Sequence, residues 1–116
     1  MDKVLLNDYK YDGKMMKYLQ ELEFREARAI FITRYRMLPT KTNFPGRWEG
    51  QQCNICGFQD LDEHIFTCPG YHDLVTDNMS IEMFWNNDVL NDMQVLSVVA
   101  KSMILIIERM EEVQDM

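Results

Sequence analysis

The sequence has little punctuation, few long apolar runs and almost no basic residues in its second half. Of its 116 residues only three are proline and five glycine, too few for a collagen-like repeat or a flexible low-complexity tract. The longest uninterrupted apolar run is Met103-Ile104-Leu105-Ile106-Ile107. That falls far short of the ~18 residues a membrane-crossing helix needs. Cysteine is scarce too: three residues, an odd number that argues against the disulfide framework of a small secreted domain. Met1–Asp8 lacks the apolar core of a secretion signal, so the expected location is intracellular, in nucleus or cytoplasm, with no membrane partner.

What is present fits one domain: 47% of the residues are apolar and 11% aromatic, enough for a core. Residues 1–47 hold ten bases against six acids, whereas residues 48–116 hold two bases against thirteen acids, for a net charge of −7. A nucleic-acid-binding domain usually carries a basic excess, because phosphate neutralisation supplies much of its affinity. Only the first half has one. Any polyanion contact is therefore expected to be local and opposed by the second half.

Periodicity predicts a long helix over residues 14–38, with Asp12 as its cap, since no glycine or proline interrupts it before Pro39. Arg25, Arg28 and Arg36 share one strip of that helix, between two apolar faces. Pro39 and Pro45-Gly46 end the helix and open a basic linker. A short helix is expected over 79–85, with Ser80 as cap, and Asn86-Asn87-Asp88 breaks and recaps the chain. Residues 89–113 give the strongest signal: Val89, Met93, Leu96, Ala100, Met103, Ile104, Ile107 and Met110 recur at steps of three and four. Val95, Val99, Ile106 and Val113 widen this stripe, and Val98 and Leu105 are apolar on the far side. One reading is a central core helix. The other assigns Val95, Val99, Ile106 and Met110 to the interface of a homodimer or with a helical protein partner, because a monomer seldom exposes a large apolar patch.

Residues 50–72 hold all three cysteines and both histidines, in the spacing C-x2-C-x7-H-x3-C. Cys53 and Cys56 can place two sulfurs on one ion across a tight turn, and Gly57 allows the positive φ such turns often need. His64 and Cys68, four apart, share a face of a helical turn and supply two more ligands. Three soft thiolates and one imidazole favour Zn2+. Arg47 is the expected neighbour to offset the negative charge of such a centre. His72 is read as a surface residue and a spare ligand.

The expected fold is mainly α: a small helical domain with a CCHC zinc knuckle inserted between a long N-terminal and a long C-terminal helix. The single domain 1–116 divides into N-terminal helix and basic linker (1–48), knuckle (49–72) and C-terminal helices (73–116). Little strand is expected beyond a two-stranded turn around Cys53–Phe58.

Arg25-Glu26-Ala27-Arg28-Ala29-Ile30-Phe31, Arg34-Tyr35-Arg36-Met37-Leu38, Lys41-Thr42-Asn43-Phe44 and the cluster ending Glu63-His64-Ile65-Phe66-Thr67-Cys68-Pro69 together resemble the C-terminal region of non-LTR (LINE-type) retrotransposon polyproteins. There a similar segment leads into a CCHC motif downstream of the reverse transcriptase. The chain departs from that pattern at Gln51-Gln52-Cys53, where it has no basic residues ahead of the knuckle. The resemblance implies a non-catalytic zinc-bearing region associated with template RNA or DNA. The residues themselves offer no paired aspartates for a polymerase and, after Lys41, only Lys101 as a lysine. Asp60, Asp62, Glu63, Asp73 and Asp77 read as a solvated rim around the zinc turn.

Two functions compete. In the first, Arg25, Arg28, Arg34, Arg36, Lys41 and Arg47 grip phosphates while Phe44 and Trp48 stack unpaired bases of RNA or single-stranded nucleic acid. A helix surface laced by pairs such as Glu21 and Arg25 explains the same basic residues without a ligand. In the second, the chain is a protein-interaction or homodimerisation adaptor acting through helix 89–113.

Overall fold

A computed structural model describes residues 17–76 and 79–116, which are mainly helical and contain no strand. The helix expected over 14–38 is two helices, α1 (Lys17–Glu21) and α2 (Phe24–Arg34). Asp12 and residues 14–16 lie outside the described residues. The break falls at Glu23, whose extended backbone (φ −59°, ψ 149°) lets its carboxylate accept the Arg25 N–H at 3.3 Å. Glutamate is not a favoured cap, so no local signal marks the break. Past Arg34 the chain turns at Arg36, a non-glycine residue at φ 54°. Met37 N–H then bonds back to Ile32 O at 2.9 Å, which closes the helix four residues before Leu38. Arg36 therefore does not share a helical strip with Arg25 and Arg28.

Residues 37–61 run as bends and turns with two isolated bridges, Pro45 with Trp48 and Gln52 with Gln59. Single 3-10 turns follow at Asp62–Phe66, Pro69–Tyr71 and Ile81–Trp85. Ser80 makes no capping bond, and its segment is this last 3-10 turn rather than an α-helix. Asn86 does recap the chain: its side chain accepts from Asp88 N–H and Val89 N–H and starts α3 (Asn87–Leu90). The Asp92 carboxylate accepts Val95 N–H at 3.3 Å and starts α4 (Met93–Gln114), so the helix expected over 89–113 is broken at Asn91-Asp92.

α2 lies against α4 and the Ile81–Trp85 turn, and α3 packs on both of the latter. Ile30, Phe31, Leu38, Phe84, Leu90, Leu96, Met103 and Ile106 are buried in this seam. The same packing corrects the proposed interface. Val99 (4% exposed), Ile106 (0%) and Met110 (1%) face the interior of their own chain, and only Val95 is exposed. The sequence left open whether other elements cover this helix, and α2 packs along it, joined by α1 and α3. The apolar side chains that α4 leaves outside are Val95, Val98 and Leu105.

Candidate metal centre

The turn that carries the first two cysteines closes through Gly57 N–H to Cys53 O (3.0 Å) and Cys53 N–H to Phe58 O (2.8 Å). Gly57 sits at φ 77° with open space around its Cβ position, so backbone conformation alone selects glycine there. At Gly70 a Cβ would meet the tip of the Ile55 side chain, which would have to shift. The 3-10 turn Asp62–Phe66 then carries His64, and Cys68 N–H bonds to His64 O at 2.8 Å. The result brings one ligand atom from each of Cys53, Cys56, His64 and Cys68 within 4.8 Å of the others.

The donor chemistry fits a metal ion. All three thiols are free, and Cys53 Sγ and Cys68 Sγ are 3.9 Å apart. Burial pushes the Cys68 thiol up to about 12, and the nearby Cys53 adds to it. Without a cation the Cys68 sulfur is held as a thiol, whereas a metal ligand must be thiolate. His64 Nδ1 contacts the Leu61 carbonyl, which can only accept, so Nδ1 is the donor there and Nε2 is the nitrogen left for a metal. That Nε2 is buried and has no hydrogen-bond partner; Asp60 Oδ1 stands 3.3 Å away, out of line for a hydrogen bond. A metal-ligating imidazole that donates its other N–H to a backbone carbonyl is the common arrangement. These four residues can therefore hold a metal ion, with three sulfurs and one nitrogen. His72 is exposed and lies outside the set.

The acids around the turn do not form a uniform solvated rim. Asp60 and Asp62 are each only 2% exposed. Asp60 Oδ2 accepts Lys41 N–H and Gln114 Nε2, both at 2.7 Å. Asp62 Oδ2 accepts Asn43 Nδ2 at 3.1 Å, and burial holds its carboxyl above the ordinary range. Asp73 takes a two-pronged pairing from Arg109 (2.6 and 3.2 Å), which lowers its pKa. Asn54, between the first two ligands, donates to Val113 O at 2.9 Å and so caps the end of α4. Sequence reasoning missed Asn54, Asp60, Asp62 and Gln114 because their partners are remote in the chain. The one local sign was their position among the ligands.

The candidate nucleic-acid residues scatter. Arg34, 6% exposed, lies among Trp85 (4.4 Å), Tyr35 (5.4 Å) and Tyr18 (5.5 Å) and donates to Tyr18 Oη at 3.0 Å. It is a core residue, out of reach of a phosphate. Lys41 is also buried, with Nζ on Asn54 Oδ1 at 2.8 Å, and it is the base bonded to the knuckle where Arg47 was expected. Arg25 pairs with Glu108 (3.4 Å), not Glu21, which instead meets Lys17 at 3.7 Å. Arg36 pairs with Glu63 at 2.7 Å. Arg28 is exposed. Arg47 rests over Trp48 (4.6 Å) and Phe44 (5.8 Å), whose rings meet edge to face, and no acid pairs with it among the described residues. Comparison with protein-family models, with curated proteins and with solved structures gives no match.

Proposed function

We propose that the chain is a non-catalytic, zinc-stabilised interaction module of retrotransposon origin that binds RNA or single-stranded nucleic acid. The observation that carries this reading is the convergence of Cys53, Cys56, His64 and Cys68 on one ligand-sized space. A closed set of three thiolates and an imidazole suits Zn2+ and leaves no open position for activating water. The module therefore acts by holding surfaces in place. The motif resemblance over residues 25–69 supports the origin.

The nucleic-acid part rests on Phe44, Arg47 and Trp48. An arginine lying on an exposed phenylalanine and a half-buried tryptophan, with no ion pair to an acid among the described residues, suits an unpaired base and its phosphate. Arg25 and Arg28 line a groove between α2 and α4 together with Glu108 and Glu111, and Arg34 and Lys41 are buried, so the reading rests on the stack alone. A salt-dependent titration with single-stranded RNA tests the reading: Trp48→Ala should weaken binding about tenfold, and Arg47→Ala should also flatten the salt slope by about one. RNA affinity unchanged in both variants would remove this surface from the proposal. The second reading, a protein-interaction adaptor or homodimer, now rests on Val98 (58% exposed) and Leu105 (51%) instead of the buried stripe. Light scattering of the unmodified chain tests the homodimer form, and a monomer mass would exclude it.

A further inference from the structure

The Phe44–Arg47–Trp48 stack lies outside the knuckle in sequence, yet the loop that carries it is fastened to the knuckle by three residues set among the metal ligands. Asn54, between Cys53 and Cys56, holds Lys41 Nζ at 2.8 Å. Asp60 holds Lys41 N–H at 2.7 Å. Asp62, two residues before His64, holds Asn43 Nδ2 at 3.1 Å. Asn43 completes the anchor: its Nδ2 also donates to Leu38 O, and its N–H donates to Thr40 Oγ1. Among the described residues, each of these side-chain bonds from the knuckle into residues 41–43 starts from a residue set between or close to the four ligands, and Asn54 and Asp60 are also held by the end of α4. The stack begins at the very next residue, Phe44. Beyond its own turn, with Pro45 bridged to Trp48 and Arg47 N–H on Phe44 O, the stack is held by Phe44 N–H on Thr40 O at 3.2 Å, within the same loop.

We propose that the metal centre organises the Phe44–Arg47–Trp48 platform, with Asn54, Asp60 and Asp62 as positioning residues, so that metal binding and capture of an unpaired base are thermodynamically coupled. Ordering the ligands orders these three side chains, and they set the loop. Coupling of this kind is reciprocal: whatever factor the metal adds to nucleic-acid affinity, the nucleic acid adds to metal affinity. The size expected for such a device is about 5–150-fold. The coupling rests on the reading of the four ligands as a metal site and of the stack as a base-binding surface, and its test separates the three.

The full chain carrying Trp85→Phe, so that Trp48 is the sole tryptophan, is titrated with Zn2+ after chelation while acrylamide quenching of Trp48 is followed. Zinc should shield Trp48, and chelation should reverse this. In Lys41→Met/Asn43→Ala, which alters the loop and none of the ligands or positioning residues, zinc affinity should stay within about threefold. There the Trp48 response to zinc should fall to about half or less, because only the Lys41 N–H to Asp60 bond remains. A wild-type Trp48 signal indifferent to bound zinc, or a response fully kept in the variant, would overturn the proposal. Absence of zinc uptake by the wild-type chain would overturn the metal reading that underlies it. The last arm measures a short single-stranded RNA with and without zinc. Equal affinities overturn the coupling, and no binding in either state overturns the nucleic-acid reading while the quenching result still judges the loop.

Discussion

Leu105 and Ile106 are neighbours in α4 and should differ sharply in their response to truncation. Ile106 is 0% exposed in the seam between α4 and the rest of the chain, whereas Leu105 is 51% exposed. Ile106→Ala removes three buried carbons, ~2.4 kcal/mol of transfer free energy at ~0.8 per methylene, and leaves a cavity that raises the loss to ~3–4 kcal/mol. Spread over an unfolding entropy of ~0.2 kcal/mol/K for ~100 residues, this lowers Tm by on the order of 15 °C. Leu105→Ala should change stability by ~0.5 kcal/mol or less. Urea denaturation followed by far-ultraviolet circular dichroism, with both variants saturated in zinc, gives the two values. Equal effects would refute the placement of the two faces. So would an Ile106→Ala protein that keeps its stability and only changes its mass, because that outcome belongs to an interface.

Elemental analysis of reduced native protein should find one zinc per chain, and its removal should speed amide exchange at Cys53 and Gly57, whose N–H groups close the turn. In the metal-free reduced protein, molecules that keep the turn closed hold the Cys68 thiol raised from 9.0 to about 12, which favours that folded form while protonated. That contribution is complete below pH 9 and is lost as pH rises through the window to about 12, so the denaturation midpoint should fall there. The zinc-loaded protein, with its thiolates already formed, should not show the same loss from Cys68. Arg34→Lys keeps the charge but not the planar stack on Trp85, Tyr35 and Tyr18, and should destabilise by ~1–3 kcal/mol in a denaturant titration. An Arg34→Lys variant as stable as the parent would show the rings do not need a guanidinium.

The ligand set was legible because it is local: sixteen consecutive residues, 53–68, contain all four donors and the glycine that turns them. α4 was legible because its buried residues follow a helical period. The breaks were not. Glu23 and Asp92 stop and restart helices through one side-chain bond each, and Arg36 turns the chain in a conformation usually left to glycine or asparagine. The burial of Arg34, Lys41, Asp60 and Asp62 was illegible for a different reason. A charged side chain reads as solvated until its partners are known, and Asp60 finds Gln114 54 residues away. The misplaced interface has the same origin, since periodicity marks which face of α4 is apolar without showing what covers it.

The knuckle's own composition explains why its order must come from outside the hydrophobic effect. Among its aliphatic and aromatic residues, Phe58 is 75% exposed, Ile55 38% and Leu61 36%, Phe66 is half-buried, and Ile65 and Tyr71 are buried. Fixing each backbone unit opposes folding by ~1–2 kcal/mol. The anchoring hydrogen bonds from Asn54, Asp60 and Asp62 each return only ~0.5–1.5 kcal/mol net, and fewer such bonds than residues are available. Arg109, bonded to both Gly70 O and Asp73, fastens one end without supplying a core. A metal held by the four residues would be a term of the right size, because its binding free energy would be spent on the same residues that must be ordered. It would also account for the buried aspartates. Their hydrogen bonds tie the metal turn to Lys41 and Asn43 on one side and to the end of α4 on the other, so the carboxylates are satisfied only when all three pieces are in place.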